Sequence, residues 1–400
     1  MILFEREADC CGCGACAQVC PVQAISMQES KTGFLFPKID ANRCIECGKC
    51  QKSCGYQKTC LETEPLEAWA ASARDRKIEI NSASGGIFAT IATEIVEAGG
   101  VAVGAVMKNT QQGIRVCHVI GKTVEDVGKM QGSKYVQSDA YVVFDGVKKA
   151  LAKGTQVLFC GTPCQVAAIK KVTGNPDNLF TMDLVCHGVP SQKMFRDFIA
   201  RLEKDLQIQM EAFYFRSKVF GRNDYIAEIV PKRNKKIYGI PHGLLSFYKL
   251  FLDGKINRKS CYQCPFATKQ RVADLTIGDY WGIENQHEKE IAEGVVNLSQ
   301  SWSSILVNTM KGRALLETYG KKLSKVPSKY EKIAERNEQL KMPLKEPKER
   351  KELMNLYEKE GYNAVENWFR ARMGGKIKFA IKRILGIKKH TKQGDVNFEK

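Results

Sequence analysis

Residues 9–25 read DCCGCGACAQVCPVQAI, and five of the eleven positions from Cys10 to Cys20 are cysteine. Cys10, Cys13, Cys16 and Cys20 follow the spacing C-x2-C-x2-C-x3-C, with Pro21 next. Three thiolates at this spacing wrap one iron–sulfur cubane in a tight loop, while the fourth, turned away by the proline, serves a second cluster. Gly12 and Gly14 allow the backbone to turn close to the cluster. Such a run needs a second one, and RCIECGKCQKSCGYQ supplies it. Cys44, Cys47, Cys50 and Cys54 repeat the spacing, with Gly55 in the place of the proline. The fourth cysteines then cross over, so that Cys10, Cys13, Cys16 and Cys54 take one 4Fe-4S cluster and Cys44, Cys47, Cys50 and Cys20 the other. Zinc is the competing reading of a cysteine pair, and two matched runs of four disfavour it. Cys11 and Cys60 are left over.

A chain of 400 residues suggests two or three domains, and a hydrophobic content of 44% is enough for a real core. No apolar run reaches the length of a membrane span. The segment MILFEREADC has acidic residues and no cleavage pattern, so no signal peptide is expected. Sixteen cysteines without secretion point to metal in a reducing, cytoplasmic compartment rather than to disulfides. The net charge of +18 is uneven: residues 321–400 carry 22 Lys or Arg against 11 Asp or Glu. The rest is only mildly basic, so no nucleic-acid partner is expected.

Residues 1–62 form the two-run unit, and LETEPLE at 61–67 reads as a linker. SGGIFATIATEIVEAGG then reads as a helix opened by Ser84 and closed by Gly99 and Gly100, with VAVGAVM and IRVCHVI as strands. TQVLFCGTPCQVAAIKKV is strand, turn, helix, and NLFTMDLVCHGVPSQKMFRDFIARL repeats that order, which implies an α/β region. From about residue 207 the pattern turns β-rich, and residues 322–400 read as charged and helical.

Chemistry concentrates at strand ends. In FCGTPCQ, Gly161, Thr162, Pro163 and Cys164 lead from a strand into a helix, where free amides bind anions and lower a thiol's pKa. Cys186 and His187 stand at the next strand end, the position where open α/β sheets place ligands. Ser84, Gly85 and Gly86 make a third helix start, and Gly132, Ser133 and Lys134 suit a phosphate or an anionic ring. Lys134, Cys164 and His187 are the catalytic candidates. Cys261 and Cys264 form C-x2-C before Pro265 and need partners for a third cluster, with Cys160, Cys164, Cys186 and Cys60 available; a zinc clip or a structural pair are the alternatives. Asp274, Asp279, Tyr280 and Trp281 follow on a strand and turn, and Trp281 suits stacking on a flat ring. His118, His242 and His287 read as structural or exposed.

SGGIFATIA, GSKYVQS, LFCGTPCQVAAIK, DLVCHGVPS and SCYQCPFATKQRVADLTIGDYWG, in order, resemble the family of coenzyme F420 hydrogenase/dehydrogenase beta subunits over residues 66 to about 315. The resemblance implies an α+β chain: a ferredoxin-like dicluster domain (1–62), an α/β flavin-binding catalytic domain in two regions (66–150 and 151–321) and a basic helical tail (322–400). It implies FAD, held by the turns at Ser84–Gly86, Gly132–Lys134 and Gly161–Pro163, and a cluster on Cys261 and Cys264. It implies an oxidoreductase that passes electrons from soluble ferredoxin or another redox protein, through the clusters and the flavin, to a small organic substrate or a deazaflavin-like coenzyme. Related chains that carry this ferredoxin extension imply a place in a polysaccharide pathway. The alternative is a non-catalytic electron-transfer subunit that feeds a partner enzyme, and a weaker one is a zinc-stabilised scaffold.

The tail adds one further expectation. In GGKIKFAIKRILGIKK, residues 374–389, Ile377, Ile381, Ile384 and Leu385 share a helical face while lysines and Arg383 spread elsewhere. A basic amphipathic helix of this kind suits peripheral contact with the inner face of a membrane, and a helix packed on its own domain is the plain alternative.

Overall fold

The computed structural model describes residues 2–59, 64–111, 113–221, 225–233 and 237–373. The amphipathic segment 374–389 and Cys60 lie outside the described residues. No described helix is long and apolar enough to cross a membrane.

Thirteen strands are described: β1 Ile25–Glu29, β2 Leu35–Ile39, β3 Glu67–Ala73, β4 Val101–Thr110, β5 Gly113–Gly121, β6 Val157–Gly161, β7 Leu179–Leu184, β8 Met210–Tyr214, β9 Ile226–Pro231, β10 Tyr238–Pro241, β11 Leu275–Asp279, β12 Ser303–Val307 and β13 Leu323–Ser328. β1 and β2 form the antiparallel hairpin of the amino-terminal unit. Its two cysteine runs are built alike. Gly14 and Gly48, at φ 75 and 68°, precede the one-turn helices Ala15–Gln18 and Lys49–Lys52. Gly12 and Glu46, two residues earlier in each run, also have positive φ, 69 and 50°.

The main sheet runs β13-β3-β12-β11-β7-β6-β4-β5. Its centre is parallel, from β4 through β6 and β7 to β11, and antiparallel strands flank it on both sides. Central strands of this kind are buried on both faces, which explains continuous apolar runs such as VAV and VLF. Helices Ile87–Glu97 and Met310–Tyr319 contribute to the core on one face. Helices Phe144–Ala152 and Pro163–Thr173 contribute to that on the other, which Ala15 of the amino-terminal unit also joins. The expected helix at 84–100 is present, but it begins at Ile87 with Gly86 as its cap, and the Ser84 hydroxyl donates instead to the Trp302 carbonyl.

The small sheet, in order β10-β9-β8, packs with helices Gln192–Leu206 and Ser246–Leu252 around an aromatic core of Phe195, Phe198, Phe213, Phe215 and Phe247. Residues 322–373 differ from the expected tail. β13 pairs with β3 from Leu323–Ala73 to Ser328–Ala68 and closes one edge of the main sheet. Helices Glu349–Glu360 and Tyr362–Met373 bury Leu353, Tyr357, Val365 and Phe369 in the small-sheet core. LSKVPS is a short strand containing a proline, which an edge tolerates, and its surroundings in sequence are highly charged. The helical expectation is therefore correct for most of 330–373 and wrong for 323–328.

Candidate functional site

The cysteine runs enclose two small cavities. Cys10, Cys11, Cys13, Cys16, Cys50 and Cys54 line one. Cys20, Cys44, Cys47 and Cys50 line the other. The fourth cysteine of each run thus lines the other run's cavity, Cys54 the first and Cys20 the second, and Cys50 lines both. Backbone amides point at the sulfurs: Ala24 N–H donates to Cys20 Sγ at 3.2 Å. The amides of Gly12, Ala15 and Ala17 serve Cys10, Cys13 and Cys16 in the same way. Burial and the crowding of like groups push the Cys10, Cys16 and Cys54 thiols up. Several buried thiols facing one cavity, with amides aimed at them, become thiolates together when a metal group supplies positive charge. That donor set fits a 4Fe-4S cluster at each site. The second site lies nearer the surface, with Cys47 exposed.

A third group of thiols lies between this unit and the main sheet. Cys164 sits in the first turn of helix Pro163–Thr173, Cys186 follows β7, and Cys261 and Cys264 belong to the turn at Lys259–Gln263 and its end. Burial raises Cys186 well above the ordinary range, and Cys261, Cys164 and Cys264 add to it. Cys261 is pushed up to about 12 and Cys264 to about 11, each by burial first and then by neighbouring thiols. Cys164 is drawn down to about 7, chiefly by its hydrogen bond with Cys11. Of the partners considered for Cys261 and Cys264, the structure brings up Cys164 and Cys186, while Cys160 faces the large cavity described below. Arg271 fixes the loop: its guanidinium donates to Phe266 O, to Thr276 Oγ1 and to Asp183 Oδ1 at 3.1 Å, so the stretch after Cys264 is tied to the end of β7. Gly55 has a packing reason, since a Cβ there would meet Ala167 Cβ at 3.0 Å. Tyr56 next to it donates to Ser260 O at 2.8 Å and joins the dicluster unit to the Cys261 turn.

Beyond Cys186 opens a cavity of about 380 Å³, between the carboxyl ends of the parallel strands and the small sheet. Ser84, Gly86, Gly132, Ser133, Lys134, Gly161, Thr162, Cys186 and His187 line it. Gly85, Pro163 and Cys164 do not. Gly85 is packed so that a Cβ would meet Ala71 O at 2.6 Å. Cys164 turns toward Cys11, which replaces its expected catalytic place at the cavity with one among the thiols. Of the helix starts expected to bind anions, that of Ile87–Glu97 has no side-chain cap. The start at Thr162 is already satisfied, because Gln165 Oε1 accepts from Thr162 N–H at 3.0 Å.

Lys134 is buried, which pushes its ammonium down to about 7. Its Nζ nevertheless donates to Met130 O at 2.8 Å and Gln131 O at 2.6 Å, contacts that favour the charged form, so it also closes the carboxyl end of helix Val124–Met130. His187 hydrogen-bonds Leu252 O at 3.0 Å, and burial lowers its pKa. His118, expected to be merely structural or exposed, is buried in the cavity wall. Its Nε2 faces Cys160 O and its Nδ1 faces Ser138 Oγ, both at 2.9 Å. At the far end, Arg216 pairs with Asp279 at 2.7 Å and lies 5.0 Å from the ring of Tyr225 and 5.6 Å from that of Trp281. Arg216 and Tyr225 come from a stretch of aromatic and basic residues with no diagnostic spacing; only Asp279 and Trp281 could be singled out by motif.

Comparison with known proteins places these features. The family model described as coenzyme F420 hydrogenase/dehydrogenase, beta subunit N-term, matches residues 68–143, and its counterpart for the carboxy terminus of the same beta subunit matches residues 154–327. A 4Fe-4S dicluster domain matches residues 9–58. An F(420)H(2) dehydrogenase subunit of Methanosarcina mazei is 23% identical over 76% of this chain and 80% of its own length. The beta subunit of the coenzyme F420 hydrogenase of Methanococcus voltae is 26% identical over 53% of this chain and 66% of its own length. A chain of the F420-reducing [NiFe] hydrogenase complex from Methanosarcina barkeri aligns with 78% of this chain and 95% of its own, at 17% identity and a TM-score of 0.45. The chain is an iron–sulfur electron-transfer protein of oxidoreductase type. It belongs to the family of coenzyme F420 hydrogenase/dehydrogenase beta subunits, with a 4Fe-4S dicluster domain joined to its amino-terminal side.

Proposed function

We propose that the chain is an iron–sulfur flavoprotein oxidoreductase that takes single electrons from a soluble ferredoxin or another redox protein and delivers them to a small organic substrate. The observation that carries this reading is the line of thiols from exposed Cys47, through the two dicluster sites and Cys11, to Cys164, Cys186, Cys261 and Cys264, of which Cys186 reaches the cavity wall. The last four match the ligand number of a third 4Fe-4S cluster. Exposed Arg43, Lys49 and Lys52 beside Cys47 suit an acidic partner.

FAD would fill part of the cavity. When bound, a flavin exchanges electrons singly or in pairs and so joins cluster traffic to two-electron chemistry. Ser84, Ser133 and the amides after Gly86 would hold its polar groups. Lys134 supplies a buried positive charge that favours an anionic form of the ring. Walls built from Ile87, Phe88, Ile277 and Phe251 exclude water. Tyr225 and Trp281, with ring centroids 5.9 Å apart and planes inclined by 28°, and with Arg216 against both, offer a flat substrate a stacking surface and a cation. A deazaflavin-like coenzyme is one such substrate, and a place in a polysaccharide pathway is supported by the family resemblance alone. The second reading, a subunit that feeds a partner's active site, is favoured by the relatives' names, which describe subunits.

Anaerobic purification with iron, sulfide and flavin quantified together tests the proposal. The expected result is about twelve irons per chain, four for each cubane, and one FAD. About eight irons removes the third cluster, and absence of flavin removes the flavoprotein reading. Turnover by the isolated chain separates the enzyme from the feeding subunit.

A further inference from the structure

Arg258 is 1% exposed, among the largest side chains that are wholly buried. No carboxylate pairs with it among the described residues. Its Nε donates to Cys10 O at 2.9 Å, one terminal nitrogen to Leu35 O at 2.9 Å and the other to Gln137 Oε1 at 3.2 Å. The nitrogen bonded to Leu35 O also lies 3.9 Å from Cys10 Sγ. The guanidinium sits 4.3 Å from the ring of Phe36 and 5.4 Å from that of Phe34.

An arginine cannot shed its proton, so this is a permanent charge taken out of water, a costly placement unless negative charge stands nearby. The neighbouring groups that become negative are thiols. Cys10 of the inner site lies against the guanidinium, and Cys261 of the cavity-side thiols stands three residues on along the chain. The chain is shaped around it. Cys261 N–H donates to Arg258 O at 2.9 Å. A Cβ on Gly12 would lie 2.7 Å from the guanidinium. In the second run, Glu46 holds the position equivalent to Gly12.

We infer that Arg258 is a fixed countercharge shared by the inner dicluster site (Cys10, Cys13, Cys16 and Cys54) and the cavity-side thiols, and that it sets the inner site at a higher reduction potential than the outer one at Cys20, Cys44, Cys47 and Cys50. The inference rests on the electron-relay reading above. Reduction of a cubane adds one electron and one unit of negative charge, which a buried cation stabilises; cluster potentials respond to such charge and to solvent exposure. Arg43, Lys49 and Lys52, the cations that flank the outer site in sequence, are exposed, so salt screens them. One electron leaving a reduced partner at the outer site would therefore run inward.

The test is a potentiometric titration of the intact chain followed by electron paramagnetic resonance, with the outer signal assigned from its change in Cys47→Ser. Wild type should show the inner site reduced first; an inner potential equal to or below the outer one overturns the inference without any variant. Arg258→Met and Gln137→Glu, the latter setting a carboxylate against the guanidinium, should each shift the inner couple about tenfold toward its oxidised form, about 59 mV for one electron, and leave the outer couple in place. Arg258→Lys should stay near wild type. Unchanged inner potentials in whichever of the first two variants retains iron contradict the inference, as does an equal shift at both sites. Iron content of the wild type separately judges the relay reading.

Discussion

His118 shows how burial turns a side chain into a fixed part of the cavity wall. Its ring lies against Phe159 at 5.4 Å, and burial lowers its pKa to about 4. An exposed histidine in the unfolded chain titrates near 6.5, so the unfolded state binds the extra proton first as pH falls. The contribution of His118 to stability is thus full above about pH 6.5, and about 3 kcal/mol of it is lost as pH falls to about 4. Thermal melts of His118→Gln against wild type should converge toward acid pH by that amount; parallel profiles would show that His118 carries no such linkage. Lys134→Met should lower the potential of the flavin proposed above, by roughly 30 mV for a tenfold change in a two-electron couple. An unchanged potential restricts Lys134 to capping its helix. The dicluster domain was legible in the two cysteine runs because their spacing is what a cubane demands of a short loop. His118, Arg216 and Arg258 were not, because their roles come from partners far away in sequence.

Between elements, a buried ion pair ties the small sheet to the main one. Lys218, after β8, donates to Glu79 Oε1 at 2.8 Å and to Ser84 O at 2.7 Å. Both side chains are almost wholly buried, and Glu79 also receives Arg76 at 2.7 Å. This holds the Ser82–Gly86 turn in the cavity wall. Lys218→Met removes one of the two cations on Glu79 and leaves Arg76 in place, so it should cost about 2 kcal/mol in thermal stability, the range of a hydrogen bond to a charged group, and weaken retention of the proposed flavin. A melt and a flavin content equal to wild type would show that the turn holds itself. The strand–helix alternation from 84 to 206 could be read from the sequence because apolar runs, turn glycines and helix periodicity agree there. β13 could not: its six residues, with Pro327 and charged neighbours, gain their strand character from the open edge of β3.

At the scale of the whole molecule, the dicluster unit is wedged into the body rather than strung before it. Ala15 enters the core beside helix Pro163–Thr173, and Tyr56 and Arg258 bind across the junction. A linker reading of residues 61–67 captures the change of pattern along the chain but not this packing, since no sequence period reports contacts between Cys10 and Arg258. The arrangement orders the sites from an exposed end at Cys47 to the cavity at Cys186. The most direct measurement of that order is rapid-mixing reduction of the proposed flavin by a reduced soluble ferredoxin, in wild type and in Cys261→Ser/Cys264→Ser, with the dicluster iron verified in both. The thiol relay predicts that the flavin of the variant reduces at least an order of magnitude more slowly while its dicluster sites still reduce at the wild-type rate. Equal rates of flavin reduction in the two chains would contradict it.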